Sequence, residues 1–300
     1  MKHLATVERF CLIAHLVSMA FGLAGLLLVL PHPEFVAALP PIGQQAFSWS
    51  MAGGGVVYIL FGAAAVGLHG YRILGLGRLL AFLIPSVALS LSSELLGTST
   101  GFPFGDYGYL SGLGYKIADL VPFTIPLSWF YMGLASYLLA CASLKSGTHL
   151  FARIEAIVIG ALLLTSWDFV LDPAMSQMTV AFWQWNQPGE FFGMPLQNFA
   201  GWMGTGVVFM TVAALLWGKR LAVLDRAELA MPLWIYVGNF AFAMIMSLAA
   251  GITFPVLLGM LLGLGPAVGL WWVARPAQAE VPFPETLPPA PQFPLEVASR

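Results

Sequence analysis

Charge is the scarcest thing in this chain of 300 residues: Asp, Glu, Lys and Arg together make up 9% of it, while 59% is hydrophobic. Soluble domains carry about a quarter charged residues, so a water-exposed globule is excluded and the bilayer is the expected solvent. No nucleic-acid partner is expected. Cysteine is almost absent as well. Cys11 and Cys141 lack metal-ligand spacing and fall near helix ends on the reducing side of the membrane, where packing is the ordinary use of a thiol. The five histidines, His3, His15, His32, His69 and His149, are scattered, which excludes a histidine box of the kind that holds di-iron. No haem-attachment cysteine, no GxGxxG beside a strand and no P-loop is present. We therefore expect neither a metal nor a redox cofactor.

What the chain has instead is apolar runs of about 20 residues, long enough to cross the hydrocarbon core as helices. They fall near 10–30, 49–68, 73–95, 122–143, 151–172, 199–217, 233–250 and 252–274. The last two form an almost unbroken stretch, divided only by Gly251 and Pro255. Basic residues decide the count. With eight spans and the N-terminus inside, eleven of the twelve Lys and Arg lie on inner segments and only Lys116 lies outside. Seven spans would move Arg275 and Arg300 outside, against the positive-inside rule. The expectation is an all-α polytopic bundle in a bacterial cytoplasmic membrane, both termini cytoplasmic. The first run is longer than a signal-peptide core and reads as a retained helix. Residues 1–274 read as one transmembrane domain, and 275–300, rich in proline and without helical period, as a disordered cytoplasmic tail.

Two outer loops are long, 96–121 and 173–198, and rich in aromatic residues and glycine, which suits segments folded over the helix ends. Gly101, Gly105 and Gly193 are placed where the backbone must turn tightly. Each loop follows a membrane carboxylate and leads into a Pro-Leu pair, Pro126-Leu127 and Pro195-Leu196. A duplicated helix–loop–helix unit or coincidence would both produce this.

Those carboxylates are the strongest functional signal, because an acid inside a membrane is costly and is retained for a reason. Glu94 ends one run; Asp168 and Asp172, four apart and so on one helix face, end another. Two close carboxylates in low dielectric either hold a proton or bind a cation. The cation route suggests a Mg-dependent membrane prenyltransferase, but the asparagine of its Asn-x-x-x-Asp-x-x-x-Asp pattern is replaced by Leu164, and diphosphate would find only Lys116 outside. The proton route suggests protonation of an alkene, the tertiary cation being stabilised by aromatic faces. The commoner use of such aromatics is an interfacial anchoring belt, and buried carboxylates also serve as plain interhelical hydrogen-bonding groups, with Asp172 capping a turn at Pro173. A proton-coupled transporter of a lipophilic solute is the non-enzymatic alternative; it would need a polar route beyond His15 and Asn239.

Several blocks resemble one family: Glu94 through Tyr109 (Glu-Leu-Leu-Gly-Thr-Ser-Thr-Gly-Phe-Pro-Phe-Gly-Asp-Tyr-Gly-Tyr), Val121-Pro122, Pro126-Leu127-Ser128-Trp129, Asp168-Phe-Val-Leu-Asp172-Pro173, Trp183 to Trp185, and Phe192 through Trp202. Their order and spacing over about residues 70–275 resemble the membrane carotenoid hydratases, which include γ-carotene and bisanhydrobacterioruberin hydratases. The resemblance implies a cofactor-independent hydro-lyase that adds water to the terminal C1′=C2′ bond of an acyclic ψ end group. Its partners would be a carotenoid, water, the bilayer and other enzymes of the same pathway. It does not assign acid and base. From the chemistry alone, Asp168 and Asp172 share the proton and Glu94 or Asp106 positions and deprotonates water. Tyr107, Tyr109, Trp129, Trp183, Trp185 and Trp202 line the end-group pocket, and Asn198 orients water.

Overall fold

The computed structural model describes residues 2–142, 150–178, 180–218 and 224–276. Among these, eight helices are long and apolar enough to cross a membrane, and the protein is a polytopic helical membrane protein. Helix α1 (Lys2–Ala24) continues through a π-turn to Val29, and the short α2 (Pro33–Ala37) leads into α3 (Pro41–Leu74). Then come α4 (Leu76–Thr100), α5 (Thr124–Cys141), α6 (Leu150–Gln177), α7 (Gln197–Leu216) and α8 (Ala230–Ala249). The eighth span, Phe254–Val273, is α9 (Phe254–Gly259), a π-turn and α10 (Gly265–Val273). Gly251, at φ +75°, makes the turn after α8, and Pro255 opens α9, where its missing N–H costs nothing.

Several boundaries differ from the sequence expectation; the first span begins at Lys2 rather than 10, and the second ends at Leu74 rather than 68. The second span begins at Pro41 rather than 49, and α4 runs on to Thr100. Helix α6 passes through Pro173 to Gln177, so Asp172 caps no turn. Proline removes one backbone donor, but α6 is buried on both sides of it, from Asp168 to Met175, and in a membrane bundle neighbouring helices hold the backbone straight enough to continue. In the loop before α5, Asp119 sits at φ +59°.

Helix α5 forms the axis. Its hydrophobic residues point in every direction, as in a helix surrounded by others, and 94% of its spanning window is buried against α3, α4, α6 and α8. Helices α4 and α7 close one side; α1, α3 and the eighth span turn a face to lipid, α1 through Phe10, Ile13, Val17 and Phe21. Midway along α1, His15 accepts a close approach at Gly62 of α3, and its ring bonds the Tyr58 carbonyl (2.7 Å) and Asn239 of α8 (2.9 Å). Tyr131 donates to the same Asn239 (2.9 Å). The two midplane polar residues thus satisfy one another.

The two ends of the bundle differ. At the end holding the N-terminus, Glu8 of α1 accepts from Arg72 (2.8 Å) and pairs with His69 (2.7 Å), whose other nitrogen meets the Glu228 carbonyl (2.9 Å). Arg226 and Arg275 join the same end, where their backbones pair, so residue 275 is pinned rather than loose. Residues 277–300 of the expected tail lie outside the described residues, as do Lys145, Lys219 and Arg220. Cys11 and Cys141 are buried free thiols.

At the other end the two long loops are ordered against each other. Strand β1 (Tyr107–Tyr109) pairs antiparallel with β4 (Trp183–Trp185), setting Tyr107 opposite Trp185 and Tyr109 opposite Trp183. Strands β2 (Lys116–Ile117) and β3 (Val121–Pro122) form a second small ribbon in the last part of the first loop. Gly101, Gly105 and Gly193 all adopt positive φ (79°, 118° and 86°), as their loop positions suggested.

Candidate active site

Alternation along a strand puts Tyr107 and Tyr109 on one face of β1, and Trp183 and Trp185 on one face of β4. Both faces look down on the ends of α4 and α6. Glu94 receives three donors there: the hydroxyls of Tyr107 and Tyr109 (2.8 Å for the latter) on Oε2, and the indole N–H of Trp129 from α5 (2.9 Å) on Oε1. Burial, and after it the charge of Glu94, pushes both tyrosine hydroxyls well above the ordinary tyrosine range. They stay protonated and remain donors.

Asp172 is held in the same manner by the other loop. Its Oδ1 accepts from the indoles of Trp185 (2.9 Å) and Trp183 (3.2 Å), and its Oδ2 from the amide of Asn198 on α7 (3.3 Å). That same amide nitrogen donates to Oδ2 of Asp168 at 2.8 Å. Asn198 therefore bridges the two aspartates through its amide nitrogen. Asp168 has no further donor, and its buried Oδ1 is without a hydrogen-bond partner among the described residues. All three carboxylates are at most 4% exposed.

They surround a cavity of about 60 Å³, enough for a few water molecules. Of the expected site residues Asp168, Asp172, Glu94, Tyr107, Tyr109, Trp129, Trp183, Trp185, Asn198 and Trp202 all line it. Asp106 does not. It is exposed on the far side of the ribbon, where it accepts from Asn186 (2.9 Å), while its own N–H meets Gln187 (3.0 Å); it fastens the two loops together. The sequence reading missed Tyr58 and Ile59 of α3, Phe104 and Leu113 of the first loop, and Trp167 and Leu171 beside the aspartates. The last two were one residue from a carboxylate, the signal that could have found them; Tyr58 has no such marker. Trp129 and Trp202 stack at 4.0 Å between centroids, with Trp167 edge-on to Trp202. Among the described residues no Lys or Arg lines the cavity; Lys116 instead donates to the Tyr109 carbonyl at 2.5 Å. A cavity of acids and aromatic rings suits a cation and is ill suited to diphosphate.

Residues 54–266, well over half of the chain, match the family of carotenoid biosynthesis proteins. The chain belongs to that family. The match begins in α3, so the second span, which contributes Tyr58, is part of the shared unit. The chain is also similar to the bisanhydrobacterioruberin hydratase of Haloarcula japonica, with 36% identity over 126 residues. That alignment covers 41% of this chain and 41% of the relative. No solved structure matches the chain.

In this carotenoid biosynthesis protein the ribbon sits close on α4 because residue 97 has no side chain. A Cβ there would meet Phe104 at 2.8 Å and the Tyr107 hydroxyl at 3.3 Å. Gly97→Ala is expected to cost about 1–3 kcal/mol by overpacking and to move Tyr107 off Glu94. A thermal melt of the purified variant reads the first effect, and pigment turnover the second.

Proposed function

We propose that the protein is a carotenoid hydratase, adding water across the terminal C1′=C2′ bond of an acyclic ψ end group to give a tertiary 1′-alcohol. The observation that carries this reading is the unequal solvation of three buried carboxylates around one aromatic cavity. Glu94 and Asp172 each accept three hydrogen bonds, which favour the charged form of a carboxylate. Asp168 accepts one and keeps an oxygen free. The unpartnered Oδ1 is the natural seat of a proton.

Asp168 donates that proton to C2′, the alkene π pair forms the new C–H bond, and the positive charge is left on C1′. The Asp172 carboxylate and the faces of the surrounding rings stabilise the cation. A water held by Glu94 forms the C–O bond and gives its extra proton to Glu94. That proton returns to Asp168 through cavity water, so that one H₂O is added per turnover and no cofactor is consumed. The family and the hydratase relative support the same direction. The carotenoid biosynthesis setting would make other enzymes of that pathway its neighbours in the membrane. The clustering of Arg9, Arg72, Arg78, Arg226 and Arg275 at the terminal end supports a cytoplasmic placement of the N-terminus and an outward-facing site.

The test is pigment analysis by mass spectrometry in a host that makes lycopene or γ-carotene, with and without this chain. The expected product is heavier by one water and takes its oxygen label from H₂¹⁸O rather than ¹⁸O₂. Unchanged pigments with inserted protein, on both substrates, would overturn the assignment of these end groups.

A further inference from the structure

A cavity of about 60 Å³ accommodates the reacting waters and leaves no room for the body of a carotenoid. A second cavity, of about 450 Å³, opens at the loop-side ends of α1, α6 and α8, lined by Leu26, Leu27, Leu30, Met178, Met246 and Ala249 among others. Between the two lies a small apolar core distinct from the main one, built of Met19, Leu26, Ala174, Met175, Phe242 and Met246. Tyr58, Leu171 and Trp183 pack against this core and also line the carboxylate chamber. Leu26 and Met246 belong to it and line the groove. One continuous apolar seam therefore touches both spaces. Methionine is concentrated in it, with Met51 and Met178 packed alongside, and thioether side chains rearrange around a guest more readily than branched ones.

We propose that this methionine-rich seam binds the polyene chain of the carotenoid, which runs from the chamber past Tyr58, Leu171 and Trp183 to the groove and leaves there into the lipid. The identity of the ligand rests on the hydratase reading. A conjugated polyene is a narrow, stiff, uncharged rod. A lipid tail would fill the groove alone, whereas the three residues shared with the chamber favour a ligand that occupies both.

Ala249 is exposed at the groove, so Ala249→Cys is a mild change, and the native thiols are buried. The full-length variant in lipid nanodiscs is labelled with an apolar maleimide alone, with lycopene, or with squalane, while hydration by the wild-type chain is measured separately. Leu216→Cys, at an exposed site on the last turn of α7 at the other end of the bundle, is the control. Lycopene at ten times its Kd is expected to slow labelling at 249 about tenfold, by occupancy, and to leave 216 unchanged. Equal rates with and without lycopene, in a protein whose wild type hydrates it, would overturn the seam and leave the function standing. Protection at 249 without hydration of any acyclic carotenoid would keep the seam and remove the function. Protection by squalane equal to that by lycopene would give the groove to lipid tails and overturn the proposal.

Discussion

Asp168→Asn is expected to abolish both hydration and end-group deuteration, lowering turnover by about 10³-fold, within the range for loss of a general acid. The variant keeps the volume of the side chain and its place on α6, so the fold should survive. The oxygen that lacks a partner is the one that changes chemistry, since an amide nitrogen there has no proton of useful acidity. Pigment turnover in membranes and incorporation from D₂O into recovered substrate are the measurements. Asp168→Glu, which restores an acid displaced by one methylene, should recover part of the rate; an Asn variant as active as the wild type would remove Asp168 from the mechanism.

Glu94→Gln should separate the two halves of the reaction. Without a base for the incoming water, hydration falls by about 10²–10³-fold. Protonation by Asp168 continues, and the cation, not captured, gives a proton back. Substrate recovered from D₂O should therefore carry deuterium at C2′ and on the terminal methyls, while the alcohol is scarce. Loss of exchange together with hydration would place Glu94 at the protonation step instead. The amide must also turn its N–H either to the Trp129 indole, which cannot accept it, or to the two tyrosine hydroxyls, which must then rotate to do so, at a cost of about 1–3 kcal/mol. A melt run beside the exchange assay keeps that loss from being read as chemistry.

Much of this was legible in the sequence. Eight long apolar runs and the lopsided distribution of Lys and Arg were enough for the bundle, because the bilayer allows few other structures. The carboxylates and their aromatic neighbours could be named because both are conspicuous in lipid. What stayed hidden depended on packing. Pro173 read as a helix stop since the rule comes from water, where no neighbouring helices brace the backbone. Tyr107-Gly108-Tyr109 and Trp183-Gln184-Trp185 carry the alternation of strands, but three residues are too few to betray a pairing across 70-odd positions. Asp106 lies one residue from the cavity-lining Tyr107 and faces the other way, which no spacing rule reports.

The ribbon has one more consequence. Each half of the molecule repeats the same device: a carboxylate at a helix end, Glu94 or Asp172, is gripped by two aromatics of its own loop and by a donor three residues past a proline, Trp129 after Pro126 and Asn198 after Pro195. Four residues before the gripped carboxylate the halves part company. One has Asp168; the other has Ser90, whose hydroxyl turns back to the Val87 carbonyl. Under the proposed mechanism that single difference puts the proton donor on the Asp168 side of the alkene and the water on the Glu94 side.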